Sequence, residues 1–110
     1  MNTNTTMSNE YQSLRVILTT TNAYRTSSAQ SQQIVRDIHH IITAYRLCDK
    51  ETALACNRYI TTKYPMIYKV APRYGLHLMS QDEMLRRTER ELQHMLYCLC
   101  IFLYDRLRIH

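Results

Sequence analysis

Hydrophobic positions recur in steps of three and four along most of the chain, the spacing of one face of an α-helix. Tyr11, Leu14, Leu18, Thr21 and Arg25 follow this step, with Ile17 and Tyr24 alongside, and Ser8 is placed to cap the helix they predict. Thr19–Thr21 weakens that helix, because β-branched side chains lose rotamer freedom in it. Thr26–Ser28 reads as a turn. Ser28 or Ser31 can then cap a second helix, whose stripe is Ile34, Ile38, Ile41, Ile42 and Tyr45, broadened by Val35, and which ends near Cys48. Asp49 is the expected N-cap of a third helix, with Ala53, Cys56, Ile60 and Tyr64 on one face. Pro65 disfavours helical geometry at Tyr64 and stops it. Residues 65–79 hold Pro65, Pro72 and Gly75, and predict an irregular connector with at most one or two helical turns. Ser80-Gln-Asp-Glu83 is a capping box. It opens what reads as the longest helix, with Leu85, Thr88, Leu92, Met95, Leu99 and Phe102 in step. Residues 1–7 have little to bury and read as a disordered arm. The expected fold is therefore all-α: a single domain over residues 8–110, a small bundle of about four helices with a long C-terminal one.

Composition sharpens this picture. With 110 residues the chain makes one domain and one modest core. A single glycine and two prolines argue against turn-rich β folds and Gly-rich phosphate loops. The start of the chain carries no charged and apolar run of the secretory kind. The longest apolar run, Met95–Tyr104, has ten residues, about half of what a bilayer span needs. A soluble, intracellular protein is the expectation, with Cys48, Cys56, Cys98 and Cys100 as reduced thiols.

Charge is uneven. The formal net charge is +5, and the basic residues are eleven Arg and three Lys. Residues 50–79 hold five basic residues against Glu51 alone, a balance of +4, so the middle third is the electropositive part. Within it Arg58-Tyr59, Lys63-Tyr64, Tyr68-Lys69 and Arg73-Tyr74 recur every five residues. Cations neutralise phosphates and tyrosines stack on bases, so this set suits single-stranded nucleic acid or an acidic protein surface. A five-residue step fits neither helix nor strand, however, and turns about 140° round a helix at each repeat.

Other chemistry is weaker. His94 and Cys98 stand four apart on one helix side, but Cys98 and Cys100 diverge, and no Cys-x2–4-Cys knuckle is present. Neither metal nor cofactor is expected. No nucleophile motif is present, and Asp82, Glu83, Glu89 and Glu91 are explained by helix starts and pairing with arginine, so no enzymatic role is expected. The last helix supplies a different signal. Met95, Leu96, Leu99, Phe102 and Leu103 cover one side, and Tyr97, Cys98, Ile101 and Tyr104 the other. A helix apolar all round is central in a bundle or covered by another chain. Tyr97, Ile101 and Tyr104, rimmed by Asp105, Arg106 and Arg108, are thus the expected partner contact of a protein–protein interaction subunit, which joins other subunits or itself.

The Asn/Thr-rich start MNTNTTMSNEY and the tract RDIHHIITAYRLCDKETALACNRYI, residues 36–60, resemble the small basic nucleocapsid-associated protein of baculoviruses. The low-glycine, Tyr- and Arg-rich remainder is similar in character. This resemblance implies a non-enzymatic virion component of the host nucleus, joined to other nucleocapsid proteins in a complex tied to nucleocapsid assembly and nuclear actin polymerisation. It assigns no role to any single residue.

Overall fold

A computed structural model describes residues 2–20, 23–45, 49–106 and 108. They form six α-helices, with no strand among the described residues: α1 (Asn2–Thr19), α2 (Ser28–Tyr45), α3 (Lys50–Lys63), α4 (Ile67–Val70), α5 (Gln81–Leu85) and α6 (Glu89–Arg106). Short 3₁₀ turns stand at Ala23–Arg25 and Ala71–Tyr74. Four of the helices are long; α4 and α5 are single turns added to the expected four.

The helix starts are set by side chains that satisfy otherwise unbonded amides. At α2 the cap is Ser27, rather than Ser28 or Ser31. Its hydroxyl accepts from the Gln30 amide at 3.2 Å, and the Gln30 side chain accepts from the Ser27 amide at 2.9 Å. Ser31 instead lies buried, its hydroxyl shared with Thr26 at 2.8 Å and Tyr59 at 3.2 Å. At α3, Asp49 caps as expected, accepting from the Thr52 amide at 2.7 Å. The α3 helix ends at Tyr64, before Pro65.

Two boundaries differ from the sequence reading. The α1 helix begins at Asn2, inside the segment expected to be an unstructured arm, and not at a Ser8 cap. Once Leu14 and Leu18 anchor a helix in the core, each residue added before them gains a hydrogen bond without a new nucleation cost. The C-terminal helix is also divided. Ser80 does cap, accepting from the Glu83 amide at 3.1 Å, but the helix it starts stops at Leu85. A second capping box then opens α6: the Thr88 hydroxyl accepts from the Glu91 amide at 3.1 Å, and the Glu91 carboxylate accepts from the Thr88 amide at 2.9 Å. The break turns Met84 into the core, whereas Leu85, expected on the buried stripe, is exposed.

The core lies where α6 meets α2 and α3. Leu92, Met95, Leu96, Leu99, Cys100, Phe102 and Leu103 of α6 are all buried. They pack in one cluster with Ile34, Val35, Ile38, Ile41 and Ile42 of α2 and with Ala53, Cys56, Tyr59 and Ile60 of α3. Leu14 and Leu18 close it from α1. Polar ties fix the periphery. The Tyr11 hydroxyl accepts from the Asp49 amide at 2.6 Å, Arg15 pairs with Glu51, and the Lys50 ammonium donates to the Leu85 carbonyl at 3.0 Å.

Candidate functional site

The basic and aromatic pairs of residues 58–74 do not share one surface. Tyr59 is fully buried: its ring stacks on Tyr24 with centroids 5.9 Å apart, and its hydroxyl meets Thr26 at 2.9 Å and Ser31 at 3.2 Å. It is a core residue and no contact for a ligand. Lys63 is held internally, its ammonium donating to the carbonyls of Tyr24 at 3.1 Å and Thr26 at 3.0 Å. Tyr64 is half-buried and packs on the core; burial, with Tyr59 beside it, pushes its phenol above the usual range. The signal for Tyr59 was present in the sequence. It follows Ala55 by four residues and Cys56 by three, so it belongs to the α3 stripe.

The remaining members face outward. Arg58, Tyr68, Lys69, Arg73 and Tyr74 are exposed, and Met66, which the pairwise pattern passes over, joins them. Gly75 makes this corner possible. It ends the second 3₁₀ turn at φ 79°, a left-handed conformation that suits glycine, and its amide donates to the Pro72 carbonyl at 3.1 Å. Tyr74 is then pinned against α6. Its ring meets Phe102 edge-on at 5.9 Å, and the Arg106 guanidinium lies 4.4 Å over its centroid. Tyr68 makes no ring contact among the described residues, and 57% of it is exposed. It forms a wall common to two grooves. One, of about 220 Å³, is lined by Leu54, Asn57, Arg58, Thr61, Met79 and Gln81 among others. The other, more open and of about 440 Å³, is lined by Pro72, Gly75, Leu76, His77 and Leu78. Among the described residues Arg58, Lys69 and Arg73 make no ion pair, in contrast to Arg87, which reaches Glu83 at 3.4 Å and Glu91 at 3.5 Å.

The outer side of α6 divides differently from expectation. Tyr97 stacks on His39 of α2 with centroids 5.5 Å apart, and Tyr104 meets the same ring edge-on at 5.3 Å. Thus α2 half-covers a side expected to need a second chain: Tyr97 remains exposed, whereas Ile101 and Tyr104 are half-buried. Arg106 is not its rim, since it sits over Tyr74 on the opposite side of the helix. Arg108 lies beyond α6 and is exposed. The clamp on His39 was not read from the sequence. Its Nε2 is buried and has no hydrogen-bond partner among the described residues, and burial, assisted by neighbouring His40, holds its pKa below 6.5.

Thiol chemistry has little purchase. Cys56 is buried in the core, and Cys100 is a buried free thiol whose pKa burial pushes up to about 12, far from the reactive thiolate. Cys98 is half-buried with its sulfur 3.6 Å from His94 Nε2. No third His, Cys, Asp or Glu joins them in a metal-holding group among the described residues; Cys48 lies outside these. No described helix is long and apolar enough to cross a membrane. Comparisons with family models, curated proteins and solved structures found no match.

Proposed function

We propose that the chain is a non-enzymatic helical protein–protein interaction subunit of a larger assembly, which meets its partner at the corner formed by α4 and the turn after it. The observation that carries this reading is the company Tyr68 keeps. Met66 and Tyr68 are each more than half exposed, at 55% and 57%, in the same stretch as three exposed cations that make no ion pair among the described residues. Tyr, Met and Arg are the residue types enriched at protein contacts, and hot spots favour Tyr and Arg most. Tyr97 and Ile101 on α6 offer a second, smaller contact. The nucleocapsid setting in a host nucleus, with its link to nuclear actin polymerisation, follows from the sequence resemblance and belongs to the same proposal.

The test is a double variant, Tyr68→Ala with Arg73→Glu, prepared beside the unmodified chain. Circular dichroism should be unchanged, while light scattering and capture of native subunits should show loss of the oligomer or partners. Identical mass and identical captured subunits would defeat the proposal. The second reading is a basic nucleic-acid-binding protein using residues 58–74. It predicts carried nucleic acid, seen in the ultraviolet spectrum and removed by high salt. Against it weighs the fate of the tyrosines, since stacking on successive bases needs several open rings. Tyr59 is buried, Tyr64 half-buried, and one face of the exposed Tyr74 is taken by Arg106.

A further inference from the structure

We infer that this corner takes an extended acidic peptide segment of the partner, laid across Tyr68 with one side chain in each flanking groove. The inference rests on the interaction reading above and adds the chemistry of the occupant. Charge is the first ground. From Thr52 to Gln81 the chain has four cations, Arg58, Lys63, Lys69 and Arg73, and no aspartate or glutamate. Lys63 is engaged with backbone carbonyls, which leaves Arg58 on the wall of one groove, with Lys69 exposed on α4 and Arg73 exposed in the turn after it. A partner carrying carboxylates complements these cations, and the contact falls on Arg58 of the smaller groove, because His77 of the larger one is already bonded to the Glu83 carboxylate at 3.1 Å. Guanidinium and carboxylate also match as planar, two-point hydrogen-bonding groups.

Shape is the second ground. The two grooves share Tyr68 as a wall, and each has room for at least one side chain. In an extended chain the side chains at i and i+2 point the same way, roughly 6.6 Å apart. Such a chain can straddle one aromatic ring and seat a side chain on either side of it. The smaller groove offers Arg58, Asn57 and Gln81 as donors and suits an acidic side chain; the larger, with Pro72, Leu76 and Leu78 in its lining, suits an apolar one. The occupant is therefore a segment in which acidic and apolar residues alternate.

The experiment measures fluorescence anisotropy of a short fluorescein-labelled peptide alternating Glu with Leu, titrated with the full chain. A counterpart with Gln for every Glu serves as control. The acidic peptide should bind at least about tenfold more tightly than the Gln peptide, and added salt should weaken it. Arg58→Gln and Tyr68→Ala should each weaken it by about tenfold, with unchanged circular dichroism. Absence of binding, equal binding of the two peptides, or indifference to both substitutions would overturn the inference. So would a single-stranded oligonucleotide that binds more tightly through the same residues. If the peptide fails while the Tyr68→Ala/Arg73→Glu variant still loses its subunits, the acidic occupant is wrong and the interaction reading stands. If neither responds, both fall.

Discussion

Tyr59 shows how one hydroxyl can decide what a residue is for. It closes a partly buried triangle with Ser31 and Thr26, so removing the oxygen alone isolates that contribution. Tyr59→Phe should cost about 1 kcal/mol, read as a lower urea midpoint with an unchanged slope, because Ser31 and Thr26 keep their bond to each other. His39 makes a different prediction. Its pKa is held below 6.5 in the folded chain, chiefly by burial, while the unfolded chain protonates at the ordinary value. Above pH 6.5 the imidazole is neutral in both states and costs nothing. As the pH falls below 6.5 the unfolded chain takes up the proton first, so stability should decline from there down to the folded value. His39→Phe should flatten this part of the profile in a series of unfolding curves. The carboxylates of Glu83, lowered first by the hydrogen bond from His77, and of Glu91, lowered first by the Thr88 amide, act in a separate window. Their contribution is present above 4.5 and is lost as the pH drops below it. Residues such as His39 are the hardest to read in a sequence. Its place on an Ile-rich helix is visible, but the two tyrosines that enclose it come from α6 and are fixed only by packing.

At the scale of the element, capping decides more than periodicity. Thr88→Ala should destabilise the fold by about 1 kcal/mol, measured by chemical unfolding, since it leaves the first amides of a core helix without their side-chain partner. Ser80→Ala should cost less, because the helix it caps is one turn long and buries only Met84. The long helices themselves were legible, for the buried residues of α2 and α6 follow the three-and-four step that the sequence displays. The division at residues 86–88 was not. Leu85, Thr88 and Leu92 keep that step straight through the break, and a pattern of spacing has no mark for a change of helix axis. The mark lay in another place, in the Thr88-Glu-Arg-Glu91 box, which has the same form as the one at Ser80. The single-turn α4 was legible only as irregularity between two prolines.

For the molecule as a whole, charge and stability should separate. Arg73 makes no ion pair among the described residues and stands among other cations, so Arg73→Glu should leave the unfolding free energy within about 0.5 kcal/mol while reversing the local potential. Arg106→Ala should behave differently: loss of the cation over the Tyr74 ring should cost about 0.5–1 kcal/mol and raise the exposure of Tyr74 to iodination. The candidate corner was half legible. The excess of cations there is plain in the sequence, but which tyrosines face outward depends on the rotation of α3 against the core and on Gly75. The central place of α6 has a consequence for the order of synthesis. Ribosomes deliver a chain from its N-terminal end, and here five helices emerge before the one that their apolar sides are built to surround. Until α6 is made, Ile34, Ile38, Ile41 and Ile60 lack the largest surface they close on, and the nascent chain carries much of its stickiest side uncovered. A message truncated before Thr88 would therefore yield a client for chaperones and proteases instead of a smaller bundle, and the abundance of such a fragment should rise when those systems are inhibited.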